Sequence, residues 1–222
     1  MKKRSGISLA VKLIFVLSLC VMLYSAVQIL KAPAEAREAL QTWEKKREEA
    51  TLPALPAAAG EETPLPEGMI SDPAEPVSAI PAYTKGEVIG KIYFPKLDKR
   101  VAILEGTGRA ELKKGAGHDE GSAVIGSSGN SVLAGHRDTV FRSLGDLEKQ
   151  DIIELETADG KFIYEVTGSR IVDGQTRGAI KPSDDPVLTL ITCYPFSYIG
   201  SAPDRYLLSA KLIASEPLAQ QP

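Results

Sequence analysis

Between Glu87 and Ile213 the sequence breaks into short runs of β-branched and aromatic residues, separated by glycine, proline, asparagine and aspartate, and almost nothing keeps a helical period. That punctuation constrains the fold more than any other feature. Val88–Pro95, Val101–Leu104, Ala123–Ile125, Ser131–Ala134, Ile152–Thr157, Lys161–Thr167, Arg170–Val172, Val187–Cys193 and Tyr206–Ile213 read as strands. Ala158-Asp159-Gly160 reads as the hairpin turn between two of them. Helix is confined to Ala110–Lys114 and Val140–Asp146. The pattern predicts an all-β domain closed, or nearly closed, into an antiparallel barrel, because closure removes exposed strand edges.

Upstream of that domain the chain changes character twice. Lys2, Lys3 and Arg4 precede an apolar run whose uncharged part is Leu13–Leu30, extended upstream by Ile7–Val11 across Lys12. At ~1.5 Å per residue this approaches a ~30 Å hydrocarbon core, so one transmembrane helix is expected over residues 7–30. The preceding charges then place residues 1–6 in the cytoplasm and the folded domain outside, in a single-pass cell-membrane protein. A cleavable signal peptide is the alternative, with Ala32-Pro33-Ala34 and Ala34-Glu35-Ala36 as small-residue sites. Ala34–Ala50 reads as a solvated charged helix carrying one tryptophan, Trp43, which could sit near the membrane interface or touch the domain. Leu52–Pro81 holds seven prolines and reads as an extended spacer. Residues 31–86 are therefore expected to be a stalk, and 87–222 the folded domain.

A formal net charge of -3 argues against nucleic acid as a partner. No glycine-rich phosphate loop and no compact metal-ligand spacing is present, so neither a cofactor nor a metal is expected. The two cysteines, Cys20 in the apolar run and Cys193 far downstream, are expected to stay unpaired. An unpaired thiol in the folded part of an extracytoplasmic protein is a candidate for chemistry.

Cys193 and Tyr194 close the run Val187-Leu188-Thr189-Leu190-Ile191-Thr192-Cys193-Tyr194, which Pro195 stops, so the thiol is expected on a barrel rim. A buried, inert thiol is the competing reading, because both faces of this strand are apolar. His136 follows Gly135 at the end of another short strand and suits the role of proton acceptor from a thiol and donor to a leaving amine. Arg205 begins the last strand, close in sequence to Cys193, and suits stabilisation of an oxyanion; Arg137 is its rival. His118 falls in a glycine-rich loop and could shape a cleft, and Asp138 could orient His136.

Leu133-Ala134-Gly135-His136-Arg137-Asp138, Thr189-Leu190-Ile191-Thr192-Cys193 and Arg205 before a terminal strand together resemble the signatures of sortases, membrane-anchored cysteine transpeptidases. The Cys-Tyr-Pro-Phe continuation, the connection from Tyr198 to Pro203 and the Gly117-His118 pair look most like class D. The resemblance implies an eight-stranded barrel, with Cys193 as nucleophile, His136 as acid/base partner and Arg205 as oxyanion or positioning residue. Thr192, Tyr194, His118, Asp138 and Arg137 would be supporting or substrate-binding. It further implies cleavage of a Leu-Pro-x-Thr-Gly-like signal between Thr and Gly. The implied partners are surface proteins or pilins bearing that signal, and a peptidoglycan-precursor or pilin amine as acceptor. Asp72-Pro73 is followed by Ala74 rather than by an aromatic residue, which argues against a pilin-type lid, and Leu65-Pro66-Glu67-Gly68 lacks the threonine of a sorting signal. Two alternatives stand beside this reading: a peptidoglycan L,D-transpeptidase, whose histidine normally lies shortly before its cysteine, and a non-catalytic membrane-tethered binding module.

Overall fold

The computed structural model describes residues 3–51, 83–197 and 200–217. The proline-rich spacer expected over 52–81, with the segments 65–68 and 72–74 inside it, lies outside the described residues, as do Tyr198 and Ile199. Eight strands close a barrel: β1 (Val88–Phe94), β2 (Lys99–Glu105), β3 (Ala116–His118), β4 (Asn130–Ala134), β5 (Ile152–Thr157), β6 (Gly160–Asp173), β7 (Val187–Tyr194) and β8 (Asp204–Glu216). Their order around the barrel is β1-β2-β3-β4-β7-β8-β6-β5, with β5 pairing back to β1. A long helix, α1 (Lys3–Thr51), precedes the barrel, and a short one, α2 (Arg109–Lys114), links β2 to β3.

The alternation that made these segments legible fills the interior. Ile92, Ile103, Leu133, Ile153, Leu155, Tyr164, Leu188, Leu190 and Leu208 are all buried in one core cluster. On β2 the opposite face is buried too: Ala102 and Leu104 leave the barrel core and pack against Ala39 and Leu40 of α1. Trp43 is only 2% exposed, and its indole N–H donates to Glu156 Oε1 at 3.2 Å. Arg47 reaches the same oxygen at 2.7 Å, and Lys46 pairs with Glu87 at 2.7 Å. This part of α1 is thus docked on the barrel rather than solvated, because a short apolar patch and three polar ties meet matching groups on β1, β2 and β5.

The transmembrane reading is corrected here. Among the described residues no helix is long and apolar enough to cross a membrane. The apolar run is one part of a 49-residue helix that continues without interruption into the charged segment. The single-pass topology, and the extracellular placement of the folded domain that rested on it, are withdrawn with it.

Smaller differences concern the strands. The barrel is mixed rather than antiparallel throughout: β2–β3 and β4–β7 are parallel pairs. Lys161–Thr167 and Arg170–Val172 are one continuous strand, β6. Ala123–Ile125 is loop, and of Val140–Asp146 only Leu144–Asp146 forms a short 3₁₀ turn. The Gly117-His118 pair belongs to β3, which sequence alternation did not reveal.

Candidate active site

The mixed topology brings three strand ends to one rim. Because β4 and β7 run parallel, their C-terminal ends lie side by side, and β8, antiparallel to β7, begins where β7 ends. Cys193 is the register partner of Arg205 across β7 and β8. Ala134 is the partner of Ile191 across β4 and β7, so two residues further along each chain His136 comes level with Cys193. Cys193 is a free, partly buried thiol, and its neighbours Leu190 and Thr192 are buried on the opposite, core-facing side of β7. Alternation therefore turns the thiol outward.

The backbone bearing His136 is fixed from several directions. The Gly135 N–H donates to Ile191 O at 3.1 Å, extending the β4–β7 ladder by one bond beyond the strand. The buried Thr192 hydroxyl donates to Gly135 O at 2.7 Å, tying the residue before Cys193 to the residue before His136. The Phe141 N–H donates to His136 O at 2.9 Å. Phe141 also packs over Gly135, where a Cβ would stand 2.5 Å from the ring, so this position takes glycine for lack of space. At the far end of the same strand pair the Thr189 hydroxyl donates to Asn130 Oδ1 at 2.9 Å. Among the described residues no hydrogen bond joins the His136 imidazole to the Cys193 thiol.

The two arginines occupy different places. The Arg205 guanidinium donates through Nη1 to Ala202 O at 3.2 Å and Asp204 O at 2.9 Å, and it lies over Gly174 at the end of β6. Arg137 donates to Pro195 O at 3.3 Å and Gly200 O at 2.7 Å, so it clamps the β7–β8 connection to the turn that carries His136. Tyr194 stacks on Tyr206 with centroids 6.3 Å apart, and Phe196 meets both rings edge-on at 5.7 and 5.1 Å. The Tyr194–Pro195 peptide is cis. Asp138 is exposed and, among the described residues, has no hydrogen bond to His136.

His118 is not part of this rim. It is the buried last residue of β3, paired with Leu133 of β4, and its side chain turns to the β3–β4 loop and to Glu105 of β2. Its Nδ1 lies 2.9 Å from Glu105 Oε2, and its Nε2 lies 3.0 Å from Ala123 O and 3.2 Å from Ser122 Oγ. The Ser122 hydroxyl donates to Asp119 O and accepts from the Val132 N–H, so this network fastens the loop after β3 to β4. Sequence reasoning passed over Glu105 and Ser122, which stand 13 residues before and four after His118. It also passed over the aromatic pair Phe196 and Tyr206, for which the only signal was the density of rings around Pro195.

A family model for the sortase domain matches residues 92–213, more than half of the chain. The chain is 42% identical over 129 residues to sortase D of Bacillus subtilis strain 168, covering 58% of this chain and 65% of that protein. The catalytic domain of B. anthracis SrtD superposes with a TM-score of 0.53 at 39% identity, covering 65% of this chain and 99% of that one. Listeria monocytogenes sortase A superposes with a TM-score of 0.54 at 29% identity, covering 60% and 91%. Against the full-length curated relatives, the match spans less than two thirds of their length.

Proposed function

Because the chain belongs to the sortase family, we propose that it is a cysteine transpeptidase in which Cys193 cleaves a sorting signal and hands its acyl part to an amine. The observation that carries this reading is the register of the rim, where Cys193 is paired with Arg205 and level with His136. In the first step the Cys193 thiolate attacks the threonine carbonyl carbon of a Leu-Pro-x-Thr-Gly-like segment. The carbon–nitrogen bond to glycine breaks, His136 as imidazolium gives its proton to the departing amine, and a thioester remains. In the second step an acceptor amine attacks the thioester and loses its proton to His136, and the carbon–sulfur bond breaks to release the Cys193 thiolate beside an imidazolium, as at the start. Arg205 donates to the oxyanion in both steps.

The absence of a thiol–imidazole hydrogen bond fits a resting enzyme, since catalytic contacts are often long before substrate arrives. Thr192, Arg137 and Tyr194 act through position: the first ties the two strand ends together, the second holds the β7–β8 connection, and the third caps the strand in an aromatic cluster. The donors would be surface proteins or pilins, and the acceptors cell-wall or pilin amines.

The test is mass spectrometry of the full chain incubated with a small library of signal peptides, with and without an added amine. A peptide acyl adduct on Cys193 that the amine removes is the expected result, and Cys193→Ala should abolish it. His136→Ala and Arg205→Ala should each lower kcat/KM by at least ~10²-fold. No adduct from any peptide on a folded, reduced protein would reject the reading.

A further inference from the structure

Away from the Cys193 rim, α1 and the barrel enclose a groove of about 420 Å³. Its floor is apolar, made by Leu40 of α1, Val101 and Ala102 of β2, and Val140 of the turn after His136. Its rim is cationic: Arg37, Lys99, Arg100, Lys113 and Lys114 all line it, and among the described residues no carboxylate does.

These cations are short of counter-charge. Among the described residues Arg37, Lys99, Lys113 and Lys114 form no ion pair, whereas Arg100 is 3.7 Å from an exposed Asp98 and lies over the Tyr93 ring at 4.3 Å. Lys99 is partly buried, and its ammonium donates to Thr139 O at 2.8 Å. Burial, and the Arg142 charge nearby, push it below the usual lysine value. Lys113 and Lys114 sit in the last turn of α2, where the helix dipole favours them, but a six-residue helix accounts for only part of the charge. A partly desolvated cation with a neutral acceptor and cationic neighbours is stabilised by any anion that enters.

We propose that this groove binds an amphiphilic phosphate, a phosphate ester carrying an alkyl chain. Several cations around one opening suit a dianion with three free oxygens better than a single carboxylate. The apolar floor gives an alkyl chain a surface that inorganic phosphate leaves unused. The volume is that of a small-ligand pocket and too small for a folded partner. The groove reaches the turn after His136 through Thr139 and Val140, but Cys193, His136 and Arg205 do not line it.

The experiment titrates the full chain by calorimetry with octyl phosphate, inorganic phosphate and octyl glucoside. Octyl phosphate should bind at least ~10-fold more tightly than either of the others, and Lys113→Gln/Lys114→Gln should weaken it by ~10-fold or more, the size expected for losing charged hydrogen bonds. Lys99→Met should act in the same direction, whereas Lys161→Gln, on another face, should change nothing. Competition by phosphatidic acid vesicles but not phosphatidylcholine vesicles would assign the ligand to a lipid; binding of free octyl phosphate without such competition would assign it to a soluble ester. Octyl phosphate binding no better than the two controls, or equally well to the Lys113/Lys114 variant, overturns the proposal.

Discussion

Thr192 is a buried hydroxyl whose hydrogen bond crosses from the strand of the thiol to the backbone of the histidine turn. Valine has nearly its shape and no donor, so Thr192→Val leaves Gly135 O without that partner in a dry place. We expect a loss of about 1–3 kcal/mol in urea unfolding, and a fall in kcat of roughly ten- to hundredfold, because misplacing a catalytic group by about an ångström costs that much. KM should change far less, and a kcat within twofold of the parent would remove Thr192 from any positioning role. Gly135→Ala tests the same turn by crowding: its methyl would stand 2.5 Å from the Phe141 ring. Overpacking of this kind costs about 1–3 kcal/mol, and Phe141→Leu in the same chain should recover part of it.

At the scale of elements, what the sequence disclosed depended on how far apart the interacting groups lie. Strands such as Ile152–Thr157, whose residues alternate between core and surface, announce themselves locally. β3 has three residues, one of them glycine, and no alternation to read; what makes it a strand is its pairing with β2 and β4. Ala123–Ile125 has strand composition, yet it is loop, its carbonyls taken by His118, Ser131 and Ser127 side chains. Of the candidate site, the residue types were legible one by one, while the parallel β4–β7 pairing that sets them side by side was not, since it joins segments more than fifty residues apart. The docking of α1 escaped for a related reason, as Ala39, Leu40 and Trp43 make a patch only when a complementary outer face of β2 exists. Trp43→Ala should therefore release residues 36–47, seen as faster amide hydrogen exchange there with barrel amides still protected. Equal acceleration in the barrel would show that helix and barrel unfold as one unit. The Lys46–Glu87 tie adds a pH dependence to this docking. Lys46 chiefly, with the Thr84 N–H, holds the Glu87 carboxyl below its ordinary value. A lowered folded value stabilises above the ordinary carboxylate range and is lost as pH falls through it, so helix protection should weaken in acid and Glu87→Gln should remove that dependence.

For the molecule as a whole, the barrel is closed around a phenol. Tyr164 is 0% exposed among the aliphatic side chains of the core, and its oxygen accepts the Gly126 N–H at 3.0 Å. That bond fastens the loop between β3 and β4, where Gly126 takes φ +87° beneath the Phe162 ring. Burial pushes the Tyr164 hydroxyl from 10.0 up to about 12, outweighing the opposite effect of the Gly126 hydrogen bond. The folded state therefore holds this proton more tightly than the unfolded chain does. Its contribution is complete below pH 10 and disappears as pH rises toward 12, the interval between the two values. A gap of that size is worth roughly 2–3 kcal/mol at its full extent. Urea unfolding measured from pH 8 upward should show stability falling by about that amount across the interval, together with a rise in tyrosinate absorbance on unfolding that Tyr164→Phe reduces. Lysines and other tyrosines titrate there too, so the comparison that isolates the effect is with Tyr164→Phe. That variant starts lower at neutral pH, because the Gly126 N–H loses its acceptor, but declines less steeply above pH 10. Parallel curves for the two proteins would mean that Tyr164 reaches solvent before the barrel opens, and that the core does not hold its proton.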